Sequence, residues 1–504
     1  MKLFNLRLTT LKSKLYAIVF ASFVVRVVAF FALPNSASAL GPDEGTYANA
    51  AFWTALGKPA TEFPGYGANL YISGRSLLLP AALFNNLGIN PLDSVRLASS
   101  LYGLLTLCLI AAIALKAHSS YVKFADFVEQ NQRIFLTFFL IFSFIPSHFV
   151  WSVLGLKDSA TEFWVIATFA CLFIIFQLKK RLSFFVICGF TVSMIMVFSA
   201  RPQVGWVLGL TLILYLFSRI TSRISRILIP ITVLGVFIGY APTVASTVEV
   251  STEFIARDEY PNSTPSISAP SPNKTPKKEV TKPVKSRPGT TSPTATTSPT
   301  SEAEYNASKM CNSNKQEVEF NGRKYLCETY VKEKSTVQLK NPGSVIIDQA
   351  DAIPTRSEVN KQGAASAIET QVCPNAGDTR FDKYFCIAYR APYTTYTFLV
   401  RPMLGADVTS NSSLFAAVEN IFWLGALLFV AVMFIRNRRL AFFGALAPSL
   451  LFFSIYSVAA GAYEGNMGTA FRHKSLILWV VILLLASTIV ATKERKAENR
   501  ELEA

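Results

Sequence analysis

Two adjacent carboxylates follow the first apolar segment of the chain, in Gly41-Pro42-Asp43-Glu44-Gly45-Thr46-Tyr47. Proline suits the first turn of a helix and acids there are favoured by the helix dipole, so the motif reads as a helix start. The same field keeps a carboxylate ionised at neutral pH, as a general base must be. Tyr47 falls one turn further, on the same helical face.

A second set of residues stands out because the surrounding sequence is so apolar. Arg75, Arg96, Lys157 with Asp158, Arg201, Arg401 and Arg472-His473-Lys474 lie near the ends of apolar segments, with Glu419 just inside one segment and Glu464 just before another. A charge at the centre of a membrane helix costs roughly 3 kcal/mol on insertion scales and less near the interface, and such residues face a cavity or one another. Grouped cations suit a phosphate, bound or leaving. Each also has a structural reading. Lys157-Asp158 fits a helix-capping pair, and Arg201-Pro202 and Arg401-Pro402 fit snorkelling interfacial arginines. Arg472-His473-Lys474 fits a lipid-headgroup contact, and Arg26 fits a partner of Asp43 or Asp158.

The elements that must position these groups are membrane helices. Of 504 residues, 51% are hydrophobic and only 16% charged, against roughly a quarter charged in soluble domains. The apolar runs approach the ~20 residues a span needs. The pattern predicts an all-α polytopic membrane protein with ten spans, near 15–33, 97–117, 133–152, 160–178, 182–199, 204–218, 227–245, 414–435, 440–461 and 475–492. The segment 76–88 is shorter and reads as a juxtamembrane helix. Basic clusters such as Lys179-Lys180-Arg181 and Arg436/Arg438/Arg439 alternate between spans as the positive-inside rule expects. That alternation accounts for much of the net charge of +16 without nucleic acid. It places both termini in the cytoplasm and Asp43, Glu44 and the cation set on the extracytoplasmic side of the cell membrane. Ala37-Ser38-Ala39 resembles a signal-peptidase site, but the preceding run contains Arg26 and reads as the first span.

Four regions follow: an N-terminal transmembrane module (1–245), a Pro/Ser/Thr/Lys-rich linker expected to be disordered (246–302), a small extracytoplasmic insert (303–413) and a C-terminal three-helix module with a short tail (414–504). The insert carries Cys311, Cys327, Cys373 and Cys386. Four cysteines in that compartment imply two disulfides; of three connectivities, Cys311–Cys327 and Cys373–Cys386 close the shortest loops. No zinc-ligand spacing is present.

The run Pro42 to Gly57 resembles the first external loop of lipid-dependent GT-C glycosyltransferases, bacterial aminoarabinose and mannosyl transferases related to the protein O-mannosyltransferases. Tyr71-Ile72-Ser73-Gly74-Arg75-Ser76-Leu77-Leu78, Val95-Arg96-Leu97-Ala98-Ser99, Gly155-Leu156-Lys157-Asp158-Ser159 and Ala200-Arg201-Pro202 extend the resemblance over about residues 15–220. The last third resembles membrane proteins of surface-polysaccharide synthesis, through Leu399-Val400-Arg401-Pro402, Val418-Glu419-Asn420-Ile421-Phe422-Trp423 and Gly468-Thr469-Ala470-Phe471-Arg472-His473-Lys474. Many GT-C transferases end in a soluble domain, whereas this chain ends in a helix and carries its insert before the eighth predicted span.

The resemblance implies a polyprenyl-phosphate sugar donor, an extracytoplasmic glycan or protein acceptor, and inversion at the anomeric carbon. Asp43 would take the acceptor proton and Glu44 would orient the acceptor or substitute as base. Arg201, Arg472, Lys474, Lys157 and Arg75 would hold the donor phosphate, with Tyr47, Asp158, His473, Arg401 and Glu419 in support. Some members use a divalent cation, for which no clear ligand set stands in this sequence. Three rival classes share the composition: a polymerase or ligase using diphosphate-linked glycans, a transporter or flippase of lipid-linked sugars, and a structural envelope protein. The first places its working residues near the large loop and Arg472-His473, away from Asp43. The second predicts midplane polar groups and an internal repeat.

Overall fold

A computed structural model describes residues 10–34, 43–58, 67–120, 132–177, 184–219, 317–320, 323–326, 380–408, 411–436, 443–464 and 467–503. The chain divides into two units, one of Met1–Ala256 with Lys340–Ala504 and one of Arg257–Leu339. In the second unit the described residues form an antiparallel pair, β1 (Glu317–Phe320) and β2 (Arg323–Leu326), with Val318 opposite Tyr325.

The described residues of the first unit form helices. Its first half contains α1 (Leu11–Ala32), α2 (Glu44–Ala55), α3 (Gly67–Asn86), α4 (Pro91–Ser120), α5 (Gln132–Phe144), α6 (Pro146–Val153), α7 (Asp158–Gln177), α8 (Phe184–Ala200) and α9 (Pro202–Arg219). Its second half contains α10 (Arg380–Val400), α11 (Asn411–Arg436), α12 (Phe443–Tyr463) and α13 (Met467–Glu503). Among the described residues, five stretches are long and apolar enough to cross a membrane: Leu11–Ala32, Pro91–Leu115, Asp158–Ile175, Ser413–Met433 and Gly468–Ala486. The bent pair α5–α6 makes a sixth when counted as one span. The protein is a helical, multi-pass membrane protein.

Three more predicted spans coincide with shorter apolar helices, Phe184–Ala200, Pro202–Tyr215 and Ala447–Ala462. The predicted span 227–245 and the linker 246–302 lie outside the described residues. Two breaks have a local cause. A proline inside a helix lacks the N–H for the intrahelical bond and clashes with the preceding turn. At Pro146 the chain bends by 43° between α5 and α6. At Pro202 the helix stops and restarts, with the Arg201 N–H closing the last turn of α8 on Val197 O (2.8 Å) and the Arg201 carbonyl opening α9 by accepting from Gly205 N (3.1 Å).

Two apolar clusters frame the site. In the larger, Phe169 of α7 stands between Phe452 of α12 and Trp479 of α13, at ring distances of 5.5 and 5.2 Å. The smaller gathers Tyr47, Leu77, Val95, Trp151, Leu156 and Phe471. Within it the turn between α6 and α7 lies directly on α4: a Cβ at Gly155 would come 2.5 Å from Val95 Cγ2, so only glycine fits. Ser99 of α4 binds that turn, donating to Trp151 O (3.1 Å) and Leu156 O (3.2 Å) and pairing with Ser159 Oγ (2.7 Å). Lys157 and Asp158 are thereby carried on a clamped turn.

Candidate functional site

The neighbours Asp43 and Glu44 go to different places. Glu44 is fully buried and receives Arg96 on both oxygens, Nε to Oε1 and Nη2 to Oε2, each at 3.0 Å. The Gly155 N–H adds a third bond to Oε1 at 2.8 Å, and Arg96 Nη1 donates to Pro34 O at 2.7 Å. This fork-on-fork pair joins the start of α2 to α4 and to the α6–α7 turn. Asp43 occupies the N-cap of α2, and its carbonyl accepts from Thr46 N and Tyr47 N at 3.0 and 3.1 Å. Its side chain makes no capping bond. The carboxylate meets Arg472 Nη1 at 3.3 Å and stays 53% exposed.

From Arg472 a line of ionisable side chains runs inward. Arg472 Nε lies 3.4 Å from Asp158 Oδ2, and Arg201 Nη2 donates to Asp158 Oδ1 at 2.5 Å. The other end of the Arg201 guanidinium bonds His473 Nε2, and His473 Nδ1 bonds Glu464 Oε1. Arginine has only donors, so His473 Nε2 is the acceptor and the ring is neutral, with its proton on Nδ1 directed at Glu464. Asp158 is 1% exposed and answers both arginines. One-dimensionally distant segments thus meet: the start of α2, the α6–α7 turn, the α8–α9 break, the end of α12 and the first turns of α13.

The remaining expected site residues separate from this line to different degrees. Lys157, beside Asp158, lies within electrostatic reach of Arg201, Arg472 and Asp43, and burial lowers its ammonium to about 7. Burial pushes Glu464 up to about 8. Tyr47 is buried, in reach of the same four charges, and its phenol is raised by burial; its ring packs where a Cβ on Gly74 would be 3.3 Å away. Arg75 is exposed on α3. Lys474 directs its ammonium at Leu399 O (3.0 Å), Arg401 O and Asn420 Oδ1 (2.9 Å), capping the carboxyl end of α10. Asn420 completes that junction by donating to Val400 O and Pro402 O. Arg401 pairs with Asp407 at 3.1 Å within its own loop. Glu419 accepts from Ser147 N and Trp423 Nε1, both at 2.9 Å.

Arg26 differs from its expectation. It donates to Ser152 Oγ at 3.0 Å and to Ser22 Oγ, and lies over the Phe149 ring at 5.3 Å, with neither Asp43 nor Asp158 as partner. Hydroxyls one turn back on α1 and across on α6 are nearer than the acids at the helix end. Sequence reasoning missed a buried pair below Asp158, His148 Nδ1 with Glu162 Oε2 at 2.9 Å. An acid one turn into an apolar helix was the available signal. Cys386 is disulfide-bonded; Cys311, Cys327 and Cys373 lie outside the described residues. Among the described residues no three His, Cys, Asp or Glu side chains form a metal-binding group.

No protein-family model, curated protein or solved structure matches the chain. Function therefore rests on the chemistry of these residues.

Proposed function

We propose that the protein is a membrane glycosyltransferase of GT-C type, with ten spans, moving a sugar from a polyprenyl-phosphate donor to an extracytoplasmic glycan or protein acceptor with inversion. One observation carries this reading: a half-exposed carboxylate at a helix N-terminus, Asp43, is joined through Arg472 to a buried, pre-formed array of charges. Asp43 removes the proton of the acceptor hydroxyl as that oxygen bonds the anomeric carbon. The bond from that carbon to the donor phosphate oxygen breaks, and the phosphate leaves with the electron pair. Arg472 and Lys157 meet the charge that develops on the leaving group, and Arg201 supports Arg472 through Asp158. Glu44 positions α2 and takes no proton.

The polymerase or ligase alternative separates its working residues from Asp43. The Asp43–Arg472 ion pair favours the transferase reading over it. Asp43→Asn is expected to reduce transfer by about 10²–10⁴-fold, the usual worth of a general base, with insertion and folding unchanged. Normal glycan output from a well-folded Asp43→Asn protein would remove the base from this scheme.

A further inference from the structure

The two central arginines are held in different ways. Arg201 is 3% exposed and anchored at both ends, by Asp158 at 2.5 Å and by the His473–Glu464 pair. Arg472 is 18% exposed, and its contacts to Asp43 and Asp158 are longer, 3.3 and 3.4 Å. One of its two partners, Asp43, is in contact with solvent. An arginine fork binds a phosphate through two parallel hydrogen bonds, a better match than the single contact Asp43 offers. An exposed ion pair contributes little to hold its members together. Arg201 cannot make the same exchange without stripping two buried partners.

We infer that a phosphate group on a lipid displaces Asp43 from Arg472, so that donor binding frees the carboxylate that acts on the acceptor. This inference rests on the transferase reading above. Before the exchange, the Asp43 carboxylate is engaged by Arg472 at 3.3 Å. Afterwards Arg472 belongs to the phosphate, Asp158 stays bound to Arg201, and Asp43 is a carboxylate without its cation. The groups facing the exchange are Lys157 and Asp158 from the α6–α7 turn, Tyr47 from α2 and Arg201 from the α8–α9 break; none but Arg472 joins Asp43 in an ion pair among the described residues. Productive order follows: donor first, acceptor second.

The experiment measures the rate at which a water-soluble carbodiimide and glycinamide label Asp43 in the full chain in lipid nanodiscs, read by mass spectrometry, with dodecyl phosphate or inorganic phosphate added. Binding of each is measured in parallel by calorimetry. Dodecyl phosphate is expected to raise labelling about two- to fivefold, the scale on which one exposed ion pair restrains its members. Arg472→Gln should show the raised rate without phosphate and no further rise with it. Arg472→Lys keeps the charge and serves as a folding control: labelling stays low and phosphate affinity falls. Dodecyl phosphate that binds while Asp43 labelling stays level or drops overturns the exchange and leaves the donor class standing. Failure of both phosphates to bind overturns the donor class and the exchange with it. An equal rise with inorganic phosphate identifies the occupant as the free anion and overturns the requirement for a lipid.

Discussion

Asp43 and Glu44 are consecutive in sequence and opposite in physical situation. Glu44 is sealed against Arg96 with three hydrogen bonds to its two oxygens and no exposure. Asp43 has one 3.3 Å contact and half its surface in solvent. A buried, fully satisfied ion pair is a fixed part of the structure, because removing either partner strands a charge. A single exposed contact is exchangeable. The difference teaches where a proton acceptor is to be sought under the proposed function: at the carboxylate left with a free side, while its neighbour holds the scaffold.

The largest effect should come from breaking the sealed pair. Arg96→Ala leaves Glu44 buried without its cation, and about 3–5 kcal/mol of stability is expected to be lost. Thermal unfolding in detergent of Arg96→Ala, compared with the double variant Glu44→Gln/Arg96→Met, checks this; the double variant should recover much of the loss. Equal stability of Arg96→Ala and the unaltered chain would show that Glu44–Arg96 is not a fixed strut, and the contrast with Asp43 would fail.

Much of this was legible in advance, for a reason specific to membranes. Every apolar run long enough to span must satisfy its backbone internally, so runs become helices, and charges interrupting them must meet one another. The acidic motif and the set Lys157, Asp158, Arg201, Arg472, His473 and Glu464 were visible on that ground. Partner choice was not. Glu44 pairs with a residue 52 positions away, while Arg26 chooses serines over acids and Lys474 caps a helix end. Those outcomes depend on helix rotation and on close approaches such as Gly155 on Val95, which apolar periodicity does not encode. The resemblance made Asp43 the base and left Glu44 to orient the acceptor or substitute for it; the buried fork with Arg96, which the motif does not encode, ties Glu44 to the scaffold instead.

An intermediate effect should appear with pH at the exchangeable end. Glu464, raised to about 8, is neutral below that value, and Lys157, lowered to about 7, is charged below its own. Lowering pH from 9 to 6 therefore adds positive charge beside Arg472 in two steps, the first from Glu464 and the second from Lys157. A dodecyl phosphodiester, which keeps a single negative charge throughout this window, is expected to bind more tightly as pH falls, by up to about tenfold per pH unit where one proton is fully linked. Glu464→Gln should flatten the upper part of the profile and Lys157→Met the lower. Calorimetry in buffers of different ionisation enthalpy checks the proton uptake directly. Affinity that rises with pH would contradict the assignment of both groups to the anion's surroundings.

The smallest expected effect is the one that defines the comparison most sharply. Asp43→Asn removes an ion pair that water already reaches, and its carbonyl, which receives the first N–H groups of α2, is untouched. Stability should change by less than about 1 kcal/mol, as for other solvent-screened pairs. Arg472 keeps Asp158 in the variant, so no buried cation is stranded. A thermal midpoint near that of the unaltered chain, alongside a large loss for Arg96→Ala, would separate a working carboxylate from a structural one within a single dipeptide. A loss for Asp43→Asn as large as for Arg96→Ala would mean that Asp43 also holds the bundle together, and a loss of transfer in that variant would then no longer identify a base.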